Sequence, residues 1–588
     1  MIDQSRRSGL RPFGQPNSSH SSHRPGRLGR AVRYFRMDGV AKESMETARS
    51  RLLVAAALFS AGFLVLALRL IDLGMFERVA ETALRHQPAS VVVAGRADIV
   101  DRNGVLLATS LRTASLYADP KLVLDPEEAT NKLMMALPDL NRAEVLSRLK
   151  SHGRFEWIKR DLTPEEEWRV NSLGIPGLAF EEEDRRIYPQ GSLASHVLGF
   201  VDVDGNGLAG VERFFDNRLG GSGMVGQPLQ LSIDMRVQHV LREEMMAAVE
   251  RFSALGAAGV VLDAQSGEIL ALSSLPDFDP NNPGREPADA LFNRVVQGVY
   301  ELGSGFKAFT VAMALESGAA HLDSVYDATK PIRVARFLIR DHHPEARPLT
   351  VPEVFVHSSN IGAAKMALDV GAENQRKFLT RLGMMREPSL ELREAAQPIV
   401  PHPWREVTTM TVSYGHGLAV TPLHLATGVA AMVNGGRLVD ATLLRQNGST
   451  VSKADGDRII SPETSRAMRQ LLRLVVTDGT GSNADATGYR VGGKTGSAEK
   501  SGAGGYRRQA LISSFVGAFP MDDPRYVVFV LLDEPNGIKE TFNYATGGWT
   551  AAPVVGHVIG RIGPMLGVAP RMEPAQLGQA AKLLKVGG

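Results

Sequence analysis

The segment YELGSGFKAFTVAMALE, residues 300–316, places a glycine-containing turn directly before an apolar run with helical spacing. Ser304 and Lys307 are three positions apart in it, so at the start of a helix their side chains share one face. At that distance a neutral Lys307 amine can take the proton of the Ser304 hydroxyl. Burial and a second cation, for which Lys494 is the candidate, both favour the neutral amine. Ser304 is therefore the candidate nucleophile.

The Ser-x-x-Lys spacing alone is weak evidence for such a site. Residue frequencies predict on the order of two chance occurrences in a chain of this length. Ser147 with Lys150 and Ser497 with Lys500 have the same spacing, and a solvated helix face or a loop is the ordinary interpretation of such a pair. The turn and the apolar helix around Ser304 set it apart.

Two further motifs follow in the chain. Ser358 and Asn360 lie in VFVHSSNIGAAKMAL, where a helix N-cap is the simplest interpretation. Lys494, Thr495 and Gly496 follow the strand-like YRVGG, where a basic turn is the simplest interpretation. The ordered set SGFK, SSN and KTG is nevertheless a signature of acyl-forming serine enzymes, and no second SSN or KTG triplet occurs in the chain. The set as a whole indicates acyl transfer, without a metal or cofactor.

Composition limits the class of protein. With 588 residues the chain exceeds what one hydrophobic core usually supports, so two or more folded units are expected. A content of 44% hydrophobic and 22% charged residues disfavours wholesale disorder and a polytopic membrane protein. The net charge of +2 gives no reason to propose nucleic acid as a partner. The absence of cysteine excludes disulfides, thiolate metal sites and cysteine nucleophiles.

The N-terminal region predicts a membrane anchor. Residues 1–51 are rich in arginine, Gly, Pro and Ser, which predicts a disordered cytoplasmic tail. The run Leu52–Leu68 carries no charge and is bounded by Arg51 and Arg69, so residues 52–72 are predicted to form one transmembrane helix. A cleaved signal peptide and a buried soluble helix are the competing interpretations. With the basic tail inside, the remainder of the chain is exported.

The exported part divides into two regions. Residues 73–226 alternate β-like runs with charged helical stretches and contain no catalytic constellation. Residues 227–565 predict a larger α/β domain, in which YRVGGKTGSAE, LISSFVGAFP and RYVVFVLLDEP form successive antiparallel strands covered by helices. Residues 566–588 form a short C-terminal tail.

Together these features resemble the class B penicillin-binding proteins, most closely the septal transpeptidases of the FtsI type, from Arg51 to about Pro564. GRADIVDRNGVLLATS and RRIYPQGSLASHVLGFVDVDGNGLAGVE resemble the family's pedestal motifs. DAQSGEILALSSLPDFDPNNP and YGHGLAVTPLHLATGVAAMVNGG resemble blocks of its transpeptidase domain. The sequence departs from the common pattern at Leu302, Gly305, Ala97 and Ser497, and Gly305 is expected to loosen the helix start.

The resemblance implies a fold of the α/β (α+β) class. The expected penicillin-binding transpeptidase domain has an antiparallel sheet flanked by helices, and it follows a transmembrane helix and an elongated α+β pedestal of the dimerisation type. The implied location is the inner membrane, with the catalytic domain in the periplasm.

The resemblance also implies a reaction. Ser304 attacks the penultimate D-alanine of a stem pentapeptide, and the amine of a neighbouring stem, meso-diaminopimelate by the same resemblance, then resolves the acyl-enzyme. Asn360 holds the donor, and Ser358 relays protons with Lys494. The family pattern gives further roles: Thr495 and Ser497 hold the substrate carboxylate beside Gly496, and the backbone N–H groups of Ser304 and Ser497 form the oxyanion hole.

The implied partners are peptidoglycan stem peptides, β-lactams, a membrane glycan polymerase and other division proteins. Three rival functions stay open: an elongation-specific class B transpeptidase, a membrane-anchored β-lactamase or D,D-carboxypeptidase, and a non-catalytic scaffold of the division machinery.

Overall fold

The computed structural model describes residues 51, 53–67, 95–220, 227–334, 337–446, 456–502 and 505–571. The chain divides into two compact units, residues 1–91 and 92–588. In the first unit the described residues are helical and exposed. Within the described ranges, no helix is both long and apolar enough to cross a membrane. Most of the predicted tail 1–51, part of the predicted span 52–72 and the tail beyond residue 571 lie outside the described residues.

The N-terminal part of the second unit, residues 95–220, is an α+β region that we call the pedestal. Its long strand β2 pairs antiparallel with β3 and β4, and β1 joins β2 to the short strand β5 of the following region. The strands are β1 (Ile99–Val100), β2 (Leu106–Ala118), β3 (Glu156–Leu162), β4 (Leu178–Ile187) and β5 (Leu229–Gln230). The helices are α1 (Pro126–Ala136), α2 (Arg142–Leu149), α3 (Pro164–Asn171), α4 (Ser195–Leu198), α5 (Gly210–Phe214) and α6 (Asp216–Gly220), with a 3₁₀ turn at Gly191–Ala194.

Local sequence explains why the pedestal helices begin where they do. The Asp125 side chain accepts hydrogen bonds from the first backbone N–H groups of α1, and Pro126 occupies the first turn. Thr163 and Glu166 form a capping box at the start of α3. The apolar faces of α1, α2 and α3 share one buried cluster with β2 and β3. The pedestal therefore has a core of its own.

The larger domain is built on a second five-stranded sheet, in the order β14-β15-β16-β6-β7 with every neighbouring pair antiparallel. Its strands are β6 (Gly256–Asp263), β7 (Ile269–Leu275), β14 (Gly492–Gly502), β15 (Gly505–Phe519) and β16 (Tyr526–Asp533). Every residue of β16 is buried, which requires cover on both faces of the sheet. The predicted antiparallel sheet flanked by helices is confirmed, and the three predicted strands correspond to β14, β15 and β16.

The helices of this domain cover both faces of the sheet. They are α7 (Met235–Phe252), α8 (Ala288–Leu291), α9 (Lys307–Glu316), α10 (Val351–Val356), α11 (Asn360–Val370), α12 (Ala372–Arg381), α13 (Glu406–Val412), α14 (Pro422–Val433), α15 (Pro462–Asp478) and α16 (Ala551–Met565). Helices α7 and α16 pack together on one face, while α14 lies on the other and supports α9. Helix α9 also contacts α11 and α15, and the turn before it contacts β14.

Short elements complete the domain. The strands are β8 (Val325–Asp327), β9 (Ile332–Val334), β10 (Phe337–Ile339), β11 (Pro348–Thr350), β12 (Arg437–Leu438) and β13 (Asp457–Arg458), which form three two-stranded ribbons. The 3₁₀ turns are Pro283–Arg285, Gly303–Phe306, Ser482–Ala484 and Lys539–Thr541. The segment between β10 and β11 passes the start of α11, next to the candidate nucleophile.

Candidate active site

The candidate nucleophile lies in the 3₁₀ turn Gly303–Phe306, which runs directly into α9. Ser304 is half-buried, whereas Leu302 is almost fully buried. A side chain at Gly305 would start 3.0 Å from Leu425 Cδ2. The space that a larger residue would need beside Gly305 is therefore filled by Leu425, which belongs to α14.

Lys307 is fully buried at the centre of the site. Its Nζ lies 2.8 Å from Ser304 Oγ and 2.7 Å from Asn360 Oδ1. It also lies 2.9 Å from the Ser358 carbonyl oxygen and 3.1 Å from Ser358 Oγ. These four oxygens surround the amine, so the first two sequence motifs meet at one nitrogen atom.

Ser358 connects the two lysines of the site. Its Oγ lies 3.1 Å from Lys307 Nζ and 3.0 Å from Lys494 Nζ. Ser358 has a φ of 58°, a left-handed conformation that is costly for a residue with a side chain. The helix N-cap predicted for this motif is Ser359, which accepts from Gly362 N. Ser358 is thereby left free to face the lysines.

Burial and charge both act on the amines. Burial is the main cause that lowers the pKa of Lys307 well below its ordinary value; the Lys494 charge lowers it further, and Asp341 opposes the shift. Burial lowers the pKa of Lys494 to about 7. Both lysines are therefore far easier to deprotonate than a lysine in water. A neutral Lys307 has the lone pair that a base beside Ser304 needs.

Strand β14 brings the third motif against the nucleophile turn. A side chain at Gly496 would start 2.4 Å from Ser514 Oγ and 2.5 Å from the Leu302 carbonyl oxygen. A side chain at Gly303, where φ is 55°, would start 2.4 Å from the Ser497 carbonyl oxygen. The backbones of turn and strand thus approach as closely as they can, which places the Ser304 and Ser497 backbones side by side.

A third backbone segment closes on the same turn. Gly415, with a φ of 83°, would place a side chain 2.1 Å from the Gly303 carbonyl oxygen. Two positions further on, Gly417 donates its backbone N–H to Glu301 Oε1 at 2.9 Å. The Tyr506 hydroxyl lies 2.8 Å from Glu301 Oε2. From the sequence alone, none of these residues was given a role. Only the family-like stretch YGHG, residues 414–417, pointed to this part of the chain.

The remaining motif residues, Thr495 and Ser497, also lie on β14. The Thr495 hydroxyl lies 2.9 Å from the Thr480 hydroxyl and 3.4 Å from Lys494 Nζ. Ser497 Oγ accepts from Gly547 N at 3.0 Å. The structure therefore brings together all eight residues predicted from the sequence, and it adds Thr480 and Gly547, which the sequence did not indicate.

The two competing Ser-x-x-Lys pairs do not form such a site. Ser147 is exposed on α2, and Lys150 forms an exposed ion pair with Glu127. Lys500 forms ion pairs with Asp533 and Glu534. Within the described residues, no group of three or more His, Asp or Glu side chains is arranged to hold a metal ion.

A serine and two buried lysines between a helix start and the edge strand of an antiparallel sheet define an active-site serine enzyme with the S-x-x-K, S-x-N and K-T-G motifs. Comparisons with known proteins agree. Residues 257–560 match the penicillin binding protein transpeptidase domain, and residues 91–227 match the penicillin-binding protein dimerisation domain.

Several curated proteins resemble most of the chain. The probable peptidoglycan D,D-transpeptidase FtsI of Caulobacter vibrioides is 41% identical over 504 residues, 84% of this chain and 85% of that protein. The peptidoglycan D,D-transpeptidase FtsI of Escherichia coli is 30% identical, covering 84% and 87%. The crystal structure of penicillin binding protein 3 of Mycobacterium tuberculosis with aztreonam has a TM-score of 0.64 at 25% identity, covering 81% and 97%. The chain belongs to the class B penicillin-binding proteins of the FtsI type, which are peptidoglycan D,D-transpeptidases.

Proposed function

We propose that Ser304 is the acyl-forming nucleophile of a transpeptidase that cross-links peptidoglycan at the division septum. The contact between buried Lys307 and Ser304, 2.8 Å from Nζ to Oγ, is the observation that carries this proposal. The other two Ser-x-x-Lys pairs lack a buried amine beside the hydroxyl. The substrate is the D-alanyl-D-alanine end of a stem pentapeptide.

The acylation step follows from the contacts of the two lysines. Neutral Lys307 takes the Ser304 proton while Oγ attacks the carbonyl carbon of the penultimate D-alanine. The backbone N–H groups of Ser304 and Ser497 stabilise the oxyanion that forms. The proton passes through Ser358 Oγ toward the departing nitrogen, since Ser358 lies between Lys307 and Lys494. The carbon–nitrogen bond breaks and free D-alanine leaves.

The second step transfers the acyl group. The amine of a neighbouring stem, meso-diaminopimelate in our proposal, attacks the Ser304 ester and loses a proton, and the hydroxyl of Ser304 is restored. Asn360 holds the donor peptide, because its side-chain amide lies next to Lys307 and therefore close to Ser304. Thr495 and Ser497 hold the terminal carboxylate, with Gly496 leaving room for the strand to approach the nucleophile turn.

The proposed cellular setting rests on the first part of the chain and on the family. Residues 52–72 anchor the protein in the inner membrane, with the tail 1–51 in the cytoplasm. The region 73–226, which contains the pedestal, and the catalytic domain 227–565 lie in the periplasm. The relatives named as FtsI are peptidoglycan D,D-transpeptidases; the septal role, with a membrane glycan polymerase and other division proteins as partners, is our proposal from the family resemblance. A fluorescent fusion is expected at midcell, and a uniform side-wall signal would favour an elongation-specific transpeptidase.

Labelling by penicillin tests the nucleophile. The full-length protein in detergent is treated with benzylpenicillin, digested and analysed by mass spectrometry, and the adduct is expected on Ser304. Ser304→Ala is expected to abolish the label. Ser147→Ala is the matched control, since Ser147 has the same spacing to a lysine but is exposed, and it should be labelled like the parent. An adduct on another serine, or none, would overturn the assignment.

Two further measurements separate a transpeptidase from a β-lactamase and from a non-catalytic scaffold. Rapid turnover of a chromogenic β-lactam by the purified protein would favour a β-lactamase. Full support of septation by Ser304→Ala would show that recruitment of partners, and not acylation, is the essential role.

A further inference from the structure

Asp341 is a buried carboxylate that lies outside the three motifs, between β10 and β11. Its side chain accepts three hydrogen bonds, all from the start of α11. Ser359 Oγ donates to Oδ2 at 2.7 Å, while the backbone N–H groups of Asn360 and Ile361 donate to Oδ1 at 2.6 and 3.0 Å. Asp341 is only 8% exposed, so these bonds replace its hydration.

These bonds complete the cap of α11. The first N–H groups of a helix have no partner within the helix. Asp341 Oδ1 takes the N–H groups of Asn360 and Ile361, and Ser359 Oγ takes that of Gly362 at 3.0 Å. A negative charge at a helix N-terminus is also favourable. The start of α11 is therefore tied to the 340–341 segment rather than left to its own side chains.

The same segment sets the direction of the Asn360 amide. Asn360 Nδ2 donates to the Arg340 carbonyl oxygen at 3.0 Å. With the nitrogen held there, Oδ1 points to Lys307 Nζ, 2.7 Å away. A reversed amide would place two donors against the donors of Lys307. Residues 340 and 341 thus orient both the backbone and the side chain of Asn360.

The charge of Asp341 also acts on the site. It is the carboxylate that opposes the lowering of the Lys307 pKa. The other charged or titratable groups that interact with Lys307 are Lys494, His342 and His416. No described cation lies within ion-pair distance of Asp341, so its charge is balanced mainly by hydrogen bonds and by the lysine.

We propose that Asp341 is a positioning residue of the transpeptidase site, which orders the turn carrying Ser358 and Asn360 and places its negative charge beside Lys307. This inference rests on the proposed roles of Ser304 and Lys307. It adds a fourth chain segment to the three motifs.

Asp341→Asn tests the inference because it removes the charge and keeps the shape. Acylation of the full-length protein by benzylpenicillin is followed as a function of pH. The expected rate is about tenfold to a hundredfold below the parent, the range for a lost hydrogen bond to a charged group. The pH below which acylation falls off should shift downward, since the group that raises the Lys307 pKa is gone. A loss of stability alone would not shift the pH below which acylation falls off.

Asp125→Asn is the matched control. Asp125 Oδ1 accepts from two backbone N–H groups at the start of α1, as Asp341 does at α11, but it lies in the pedestal. It should retain the parent rate and pH profile. Asp341→Ala, which loses all three bonds, should be slower than Asp341→Asn, with thermal unfolding recorded to show that both variants are folded.

The outcomes separate the two proposals. If the parent is labelled at Ser304 and Asp341→Asn matches its rate and profile, the positioning role is wrong while the nucleophile assignment stands. A slower acylation by Asp341→Asn with no shift in the pH below which the rate falls off would also contradict the positioning role. A parent that is not labelled at Ser304 would instead overturn the proposed function.

Discussion

Lys494 shows how a proposed catalytic role conflicts with stability at a single residue. Burial lowers its pKa from 10.5 to about 7. Between these values the unfolded chain binds more protons than the folded one, so the contribution of Lys494 to stability becomes less favourable as pH falls from about 10.5 to about 7. An apolar side chain of similar length would avoid this cost.

Lys494→Met is therefore expected to raise the thermal unfolding temperature. The gain over the parent should grow as pH is lowered from 10 to 7, while acylation by penicillin is lost with the Lys494 contact to Ser358. Thermal unfolding at a series of pH values measures the first effect. Lys377→Met is the control, because Lys377 is exposed on α12, and it should show no such pH dependence. An unfolding temperature below the parent at pH 7 would contradict the argument.

Lys307 gives the second prediction at this scale. Lys307→Ala removes the proposed base beside Ser304, and positioned proton transfer contributes about 10²–10⁴-fold to a rate. The acylation rate should fall by about that factor. Lys150→Ala, at the exposed pair with the same spacing, should leave acylation unchanged. A Lys307→Ala variant that acylates at the parent rate would show that another group takes the Ser304 proton.

At the scale of elements, the site depends on the contact between the nucleophile turn and β14. Gly496→Ala would place a methyl group 2.5 Å from the Leu302 carbonyl oxygen. Because that oxygen belongs to the backbone, the turn carrying Ser304 must move away from the strand. Misplacement of about 1 Å can cost about a hundredfold in rate, so acylation should fall by at least about that factor.

Gly560→Ala is the control for the glycine prediction. Gly560 lies in α16 with open space around its Cα, and alanine there should stabilise the helix by about 0.5–1 kcal/mol. Acylation kinetics and thermal unfolding of both variants give the measurement. Parent-like acylation by Gly496→Ala would mean that the turn tolerates displacement.

How much of this site the sequence predicts differs from element to element. Ser304, Lys307, Ser358, Asn360 and Lys494 are predicted because short spacings and helix or strand contexts mark them. Asp341 is not, since it lies 17 positions before Ser358 in a loop with no motif, and only the folded chain brings its carboxylate to α11. The Thr480 contact and the close packing of Gly415 are missed for the same reason.

The sheet itself is predicted better than its surroundings. The apolar runs of β15 and β16 are long enough to indicate buried neighbouring strands. The short ribbons and 3₁₀ turns carry little periodicity, and their conformations follow from tertiary contacts. Gly305, where the sequence departs from the family pattern, shows why these conformations are hard to predict. Its packing against Leu425 depends on a helix more than a hundred residues away in the chain.

At the scale of the whole molecule, a buried ion cluster in the pedestal lies close to a contact with the larger domain. Glu212 is fully buried and forms ion pairs with Arg96 and Arg186. Two residues before it, Gly210 donates its backbone N–H to Glu394 of the larger domain at 3.2 Å. The α5 segment therefore links a buried charge network to the contact between the two regions.

Glu212→Gln is expected to destabilise the protein strongly. It leaves the buried Arg186 without its carboxylate and Arg96 with Asp216 alone, and the loss of one partner of a buried pair costs about 3–5 kcal/mol. Thermal unfolding measures the effect. Glu373→Gln, in an exposed pair with Lys377 on α12, is the control and should change little. Equal stability of the two variants would show that the cluster is not required.

The tight backbone packing at Gly303, Gly415 and Gly496 also restricts how the protein can evolve under antibiotic selection. Each of these positions faces backbone atoms at distances that no side chain can occupy, so a substitution that repels an inhibitor there also displaces the groups that the substrate needs. Heritable tolerance to such a drug should therefore arise at positions near Ser304 where a changed side chain does not displace the backbone. Sequencing of survivors after stepwise β-lactam exposure should find these three glycines unchanged.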